Sequence, residues 1–172
     1  MRAQLKDDLL FYRAYHQNKY NVLLHMICVP VVLFQTLRLL SFVVNWRFGF
    51  TELTVAIYSI FYLYLHIPVG VISTILLIGS DYAIRSGLVA TSVKVTWISW
   101  VVTWLLQFLS HSVFEGRKPA LFDSFFQSLF TAPFFVLFEY LFLLGFYREL
   151  RIELDETFDT KLIQDDEETA SA

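Results

Sequence analysis

Four long apolar stretches constrain this chain more than any other feature of its sequence. They are residues 22–44, 53–79, 88–109 and 125–146. A helix needs roughly 20 mostly apolar residues to cross a bilayer. The second stretch is too long for one straight span, and His66 and Pro68 interrupt it. The sequence therefore predicts an all-α integral membrane bundle of about four to five membrane-embedded helices.

The charged residues are concentrated at the two ends of the chain and make up only 17% of it. Before the first stretch, Leu5, Leu9 and Tyr12 fall on one side of a helix whose other positions are mostly polar. After Tyr147, apolar residues recur every four positions, which is typical of a helix with one apolar stripe. We expect amphipathic surface helices at both ends, a single membrane-embedded domain over residues 1–150 and an acidic tail over residues 151–172.

Composition also excludes several classes of function. The net charge is −3 and no basic stripe is present, so nucleic-acid binding is disfavoured. Cys28 is the single cysteine, which excludes an internal disulfide and leaves any metal site to histidines and carboxylates. The basic N-terminus does not have the pattern of a signal peptide.

Topology is open between two arrangements. With four spans, nine Lys and Arg residues fall on the side of the N-terminus and four on the other, which predicts cytosolic termini. That model puts His111 on the face opposite His16 and His25, about 30 Å away. If the second stretch instead folds at Pro68 into two half-helices, His111 returns to the N-terminal side.

The strongest local pattern of polar residues is Gln107, His111 and Glu115, spaced four apart and so near one face of a helix. A histidine and a carboxylate one turn apart can both bind one metal ion, or the carboxylate can orient the imidazole. The alternative is a hydrogen bond at a helix end with no metal.

A second pattern is the pair His16 and His25. Nine residues would put them on opposite faces of one continuous helix. A turn over residues 18–21, with Asn21 as the N-cap of the next helix, would let the two rings face each other. The alternative is an interfacial aromatic at position 16 and a hydrogen-bonded bundle residue at position 25.

For two further ionisable residues we expect structural roles. His66 would bond a carbonyl freed by the helix break, and Glu139 would pair with Arg38 or with a histidine. Three histidines and a carboxylate without thiolates would suit a divalent transition metal, with Fe(II) and Zn(II) as leading candidates.

Two segments resemble a known family. They are residues 11–25, which continue to Val29-Pro30, and residues 107–121, followed by 127–129, 132–133 and 138–139. Over about residues 9–150 the chain is similar to the fungal 2-hydroxy fatty acid dioxygenases of the endoplasmic reticulum. The resemblance implies a multi-pass enzyme of that membrane that performs Fe²⁺-dependent α-oxidation of long-chain 2-hydroxy fatty acids with O2, in phytosphingosine breakdown.

The resemblance also implies roles for particular residues. The iron ligands would be His16, His25 and His111. As a hypothesis, Glu115 orients a histidine or serves as a base, and Arg117 or Lys118 steers the substrate carboxylate. Ser110 departs from the family, which often has glycine there. The competing interpretations are a non-catalytic membrane lipid-binding or scaffold protein and a zinc or iron lipid hydroxylase or hydrolase. The paired-histidine runs of membrane hydroxylases are absent, which weakens the last. The sequence does not predict an oligomeric state.

Overall fold

The computed structural model describes residues 3–43, 49–116, 118 and 125–171, with backbone alone for 3–4, 125–128 and 161–171. Seven α-helices and one π-helical turn make up this part of the chain, so the all-α prediction is confirmed. They are α1 (Ala3–Tyr15), α2 (Lys19–Val43), α3 (Phe50–Leu65), α4 (Ile67–Arg85), α5 (Val93–Ser110), the π-turn (His111–Glu115), α6 (Phe125–Leu143) and α7 (Arg148–Ser171). Three helices are long and apolar enough to cross a membrane: α2, α4 and α5 with its π-turn. A bent pair formed by α6 and α7 is a fourth candidate.

The start of α2 is set by Asn18 and not by Asn21. The Asn18 side-chain oxygen accepts a hydrogen bond from the Tyr20 N–H at 2.9 Å, and its carbonyl accepts from the Val22 N–H at 3.0 Å. An N-cap satisfies backbone donors that have no partner within the helix. Asn21 lies inside the helix and is fully buried. The prediction of Asn21 as N-cap was therefore wrong by about one turn, and its side chain is available for another contact.

The second apolar stretch folds as an antiparallel helical hairpin, α3 and α4. His66 separates the two helices with extended backbone, at φ −159° and ψ 112°. Pro68 lies in the first turn of α4, where its missing N–H costs no hydrogen bond. At the other end of the hairpin, Arg85 pairs with Glu52 at the start of α3. Of the two arrangements that the sequence leaves open for this stretch, the single crossing is therefore wrong, and the structure shows the one in which the stretch folds into two helices.

Helices α2 and α5 are also antiparallel. We call the end of the bundle where α2 begins and α5 ends the proximal end, and the opposite end the distal end. At the proximal end, the Ser110 hydroxyl donates to the Asn21 side-chain oxygen at 2.6 Å. At the distal end, the Arg38 guanidinium donates to the Thr91 carbonyl at 3.1 Å.

The chain therefore reaches the distal end through α2, returns through α3, and repeats this with α4 and α5. His111 follows α5 and so returns to the proximal end, where α2 begins. Arg85 and Lys94 lie towards the distal end, opposite to the side on which the Lys/Arg count placed them, because that count treated α3 and α4 as one crossing.

The two terminal helices, α1 and α7, meet at the proximal end. Lys6 pairs with Glu153 at 2.5 Å and Arg13 pairs with Asp155 at 2.7 Å. Leu5, Leu9, Leu150 and Leu154 are buried beneath these pairs. Exposed ion pairs contribute little to stability, so the buried leucines hold α1 and α7 in place.

Helix α6 runs in the same direction as α3 and completes the bundle. The Tyr58 hydroxyl donates to the Leu129 carbonyl at 3.3 Å, and the Tyr62 ring stacks on Phe134 with centroids 4.9 Å apart. One further turn along, Phe138 packs against His66 at the proximal end. The chain then bends by 113° into α7.

Substituting Gly70 tests the hairpin. A Cβ there would lie 2.5 Å from the Tyr62 carbonyl oxygen and 2.7 Å from the Leu63 Cα. Both atoms are backbone, so the helices would have to separate, at a typical cost of about 1–3 kcal/mol. We expect Gly70→Ala to lower the thermal unfolding temperature of the purified protein. Gly79→Ala is the matched control, since no atom lies within 4 Å of the added methyl. Equal unfolding temperatures for the two variants would contradict this packing.

Candidate metal centre

Three buried histidines meet at the proximal end of the bundle. His16 follows α1, His25 lies in the second turn of α2, and His111 opens the π-turn after α5. Their ring centroids are 4.6 Å apart for residues 16 and 25, 4.8 Å for 16 and 111, and 4.7 Å for 25 and 111. One nitrogen from each ring lies within 4.8 Å of the other two. The turn between α1 and α2 therefore brings the first two rings together, and the hairpin returns the third.

Backbone carbonyls orient two of the rings. His16 Nδ1 lies 2.9 Å from the Tyr12 carbonyl oxygen, and His25 Nδ1 lies 3.0 Å from the Asn21 carbonyl oxygen. A carbonyl only accepts, so each Nδ1 carries the proton and each Nε2 keeps its lone pair. His16 Nε2 is buried and has no hydrogen-bond partner in the described part of the chain. A metal ligand is commonly held this way, with its second nitrogen bonded to a fixed acceptor.

The charge state of His16 also suits a ligand. Burial holds the pKa of His16 well below its usual range, and the neighbouring imidazoles of His25 and His111 lower it further. The ring is therefore neutral near pH 7, the form that binds a metal ion.

Glu115 ties the π-turn to the segment that carries His16. Its Oε1 accepts hydrogen bonds from the backbone N–H groups of Gln17 and Asn18, each at 3.0 Å, and from the Asn21 amide at 2.9 Å. The Asn21 amide nitrogen also lies 3.5 Å from His111 Nδ1. Glu115 is thus linked to His111 through Asn21, and it fixes the distance between the two chain segments that supply the histidines.

The turn that carries His111 is π-helical and ends at Gly116, whose φ of 64° is left-handed. Single π-turns within α-helices frequently occur at functional sites. Gln107 is buried on the same side of α5 as His111, in agreement with the four-residue spacing in the sequence.

The other predicted site residues lie apart from the histidines. Lys118 is exposed beyond the π-turn, and Arg117 lies outside the described residues. His66 packs against Phe138 and Tyr147 in the hairpin.

Of the two partners expected for Glu139, Arg38 or a histidine, Arg38 is wrong. Glu139 lies among the charges of Arg13, Arg151 and Asp155 at the proximal end. Arg38 is at the distal end, because it lies 19 residues, or about 28 Å, after the first residue of α2.

Sequence reasoning missed two residues beside the histidines. Asn21 was interpreted as a helix cap, although it lies four positions before His25, where its carbonyl could be expected to meet the ring. Tyr12 was interpreted as part of an apolar stripe. Its ring stacks on His16 with centroids 4.0 Å apart, and its hydroxyl is buried without a partner in the described structure. The signal for Tyr12 is its position four residues before His16.

An apolar cavity of about 190 Å³ opens against the three histidines. Helices α2 and α5 form two of its walls, and α6 closes a third side with Leu129, Ala132 and Phe135. Tyr12 and Phe11 of α1 cover the proximal end. The cavity is long and lined mostly by hydrocarbon and aromatic groups, so it suits an aliphatic chain.

The three histidines fit a divalent transition metal. They supply three neutral imidazole nitrogens in a buried cluster, and one of these nitrogens has no protein partner. Imidazole suits Fe, Zn, Cu and Ni, and three ligands leave coordination positions for other molecules. Those positions would face the cavity, since all three rings line it.

Comparison with known proteins gives a family and one characterised relative. Residues 2–144 match the family described as 2-hydroxy-palmitic acid dioxygenase Mpo1-like. The chain is 37% identical over 158 residues to the 2-hydroxy-palmitic acid dioxygenase MPO1 of Saccharomyces cerevisiae, and the alignment covers 91% of each chain. No solved structure matches the chain. The three histidines, Asn21 and Glu115 all lie within the matched region.

Proposed function

Since the chain belongs to the Mpo1-like family of 2-hydroxy-palmitic acid dioxygenases, we propose that it is an Fe²⁺-dependent dioxygenase of long-chain 2-hydroxy fatty acids. The observation that carries this proposal is the cluster of three buried histidines at one end of an apolar cavity. The cavity would take the hydrocarbon tail, and the histidines would lie beside the carboxyl end of the substrate.

The reaction balances without a further co-substrate. A 2-hydroxy acid and O2 give the acid one carbon shorter, CO2 and water. This cleavage releases four electrons, and O2 takes up four electrons on reduction to water. No nicotinamide or 2-oxo acid is therefore required, which agrees with a small chain that has no glycine-rich nucleotide loop.

His16, His25 and His111 would hold the iron, which when bound would supply the Lewis-acid and redox chemistry that O2 activation needs. The carbonyls of Tyr12 and Asn21 hold two of these rings in the ligand tautomer. The apolar walls exclude water from the substrate tail.

At the mouth of the site, charged residues would guide the substrate. Lys118 is exposed at the proximal end, and we propose that Arg117 or Lys118 attracts the carboxylate. Glu115 acts as a positioning residue, because its Oε1 accepts hydrogen bonds from the backbone amides of Gln17 and Asn18 and from the Asn21 side chain.

We also propose a location and a source of substrate. The family resemblance and the membrane-spanning helices support residence in the endoplasmic reticulum membrane, with 2-hydroxy fatty acids from phytosphingosine breakdown as substrates.

Oxygen consumption tests the proposed reaction. We expect the purified protein in detergent, supplied with Fe²⁺ and 2-hydroxypalmitate, to consume O2 and form the acid one carbon shorter. A chelator should abolish uptake, since the histidines are the metal-binding group among the described residues, and added Fe²⁺ should restore it. Palmitate, which lacks the hydroxyl, is the control substrate. Absence of both uptake and bound metal would favour the non-catalytic lipid-binding interpretation.

A further inference from the structure

The cavity is bounded by two antiparallel helices that contribute residues at the same spacing. On α2 the lining residues are His25, Val29, Val32, Leu33 and Thr36. On α5, counted from its first lining residue, they are Trp100, Trp104, Gln107, Phe108 and His111. Both sets follow i, i+4, i+7, i+8 and i+11, which is one face of a helix. The cavity is thus a channel that runs between the two helices from the histidines towards the distal end.

The channel ends where the two helices are joined by hydrogen bonds. Trp100 Nε1 donates to the Thr36 hydroxyl at 3.0 Å, and that hydroxyl donates to the Val32 carbonyl at 2.8 Å. Beside this pair, the Gln35 amide donates to the Ser99 hydroxyl at 2.8 Å. A tail that passed this level would have to break these half-buried bonds, and an unpaired polar group away from water is costly.

The length of the channel follows from helix geometry. Thr36 lies eleven residues after His25, and Trp100 lies eleven residues before His111. At about 1.5 Å per residue, both helices place this level about 16 Å from the histidines. With bonds of about 1.5 Å at near-tetrahedral angles, an extended chain advances about 1.25 Å per carbon, so about 13 carbons fit. This is close to the tail of 2-hydroxypalmitate beyond its reacting carbon.

We propose that Trp100, held by Thr36, is the floor of the acyl channel and sets the longest substrate chain that binds fully. This inference rests on the proposed function, which identifies the occupant as a 2-hydroxy fatty acid. Trp100 is then a specificity-determining residue, since it lies at the end of the channel opposite the histidines.

The test uses the full chain in detergent and an equimolar mixture of saturated 2-hydroxy fatty acids, from 2-hydroxylaurate to 2-hydroxybehenate. Native mass spectrometry reports which acids remain bound, and product analysis reports which are shortened. We expect the wild-type protein to prefer acids near 2-hydroxypalmitate. Trp100→Ala should move the preferred length up by two methylenes or more, with a gain of about fourfold in retention for each added methylene that becomes buried.

Two further variants keep the test independent of whether Trp100→Ala folds. Trp100→Phe retains a ring but cannot donate to Thr36, so we expect a smaller shift in the same direction. Leu33→Phe narrows the channel before its floor and should favour shorter acids. The matched control is Leu105→Ala, because Leu105 is on the same helix, is 59% exposed and does not line the cavity. Its chain-length profile should equal that of the wild type.

The two readouts separate this proposal from the proposed function. If the chain length of the bound acids shifts as expected while no variant oxidises any acid, the proposal that Trp100 is the floor is supported and the dioxygenase proposal fails. If the wild type is active and both Trp100 variants retain and shorten the same lengths as the wild type, the floor is overturned and the dioxygenase proposal stands.

Discussion

Replacing His111 with alanine will reduce turnover of 2-hydroxy fatty acids by at least about 100-fold, to the level of the metal-free protein. Loss of a partner that merely orients a ligand typically costs 10–100-fold in metal affinity or activity, and loss of a ligand costs more. His111 supplies one of three nitrogens in the cluster, and the other two rings cannot shift to replace it because backbone carbonyls fix them. Iron content of the purified variant and its O2 uptake are the measurements.

His66→Ala is the matched control for this variant. His66 is also at the proximal end and partly buried, but its ring packs against Phe138 and Tyr147, away from the cluster. We expect it to keep wild-type iron content and turnover. A folded His111→Ala protein with normal iron content and activity would rule out the proposed ligand set.

Glu115→Ala is expected to have the second largest effect, a loss of metal affinity of about 10–100-fold. One oxygen of Glu115 accepts three hydrogen bonds, two from the backbone of Gln17 and Asn18 and one from Asn21. Without it, the donors are unpaired and the segment that carries His16 is no longer held to the π-turn. Hydrogen bonds to charged groups each contribute about 1.5–3 kcal/mol to stability, so unfolding should also become easier.

Titration of the purified variants with Fe²⁺ measures this effect. Glu115→Gln keeps one acceptor oxygen at the end of a side chain of the same length, so its affinity should lie between those of wild type and Glu115→Ala. Glu156→Ala removes an exposed carboxylate on α7 and is the control. If Glu115→Ala binds iron as tightly as the control, Glu115 does not position the histidines.

The helical bundle was predictable because its signal is strong and local. Long apolar stretches separated by polar turns require helices in a membrane, where every backbone polar group must be paired internally. The interruption at His66 and Pro68 was visible too, but hydropathy alone does not distinguish a kinked span from a hairpin. The Gly70 contact with Tyr62 and Leu63 supports the hairpin, and such a contact between two helices has no signature in the sequence of either.

The candidate site was predictable only in part. Spacing related His111 to Glu115, and the turn after Tyr15 brought His16 near His25, yet neither pattern related the two groups to each other. The family resemblance made that link. The role of Asn21 depends on Ser110, His111 and Glu115 some ninety residues away. Arg38 was one of two candidate partners of Glu139 because both residues are charges in apolar surroundings, and only the order of crossings shows that they lie at opposite ends.

The lengths of α3 and α4 indicate which bilayer thickness this hairpin matches. Its 16 residues rise about 24 Å, and the 19 residues of α4 rise about 28 Å. A typical hydrocarbon core is about 30 Å thick, whereas that of the endoplasmic reticulum is about 27 Å and that of the sterol-rich plasma membrane about 32–33 Å. A thick bilayer would have to compress around this hairpin, at a fraction of a kcal/mol for each ångström of mismatch. Hydrophobic matching around this hairpin therefore favours a thin bilayer.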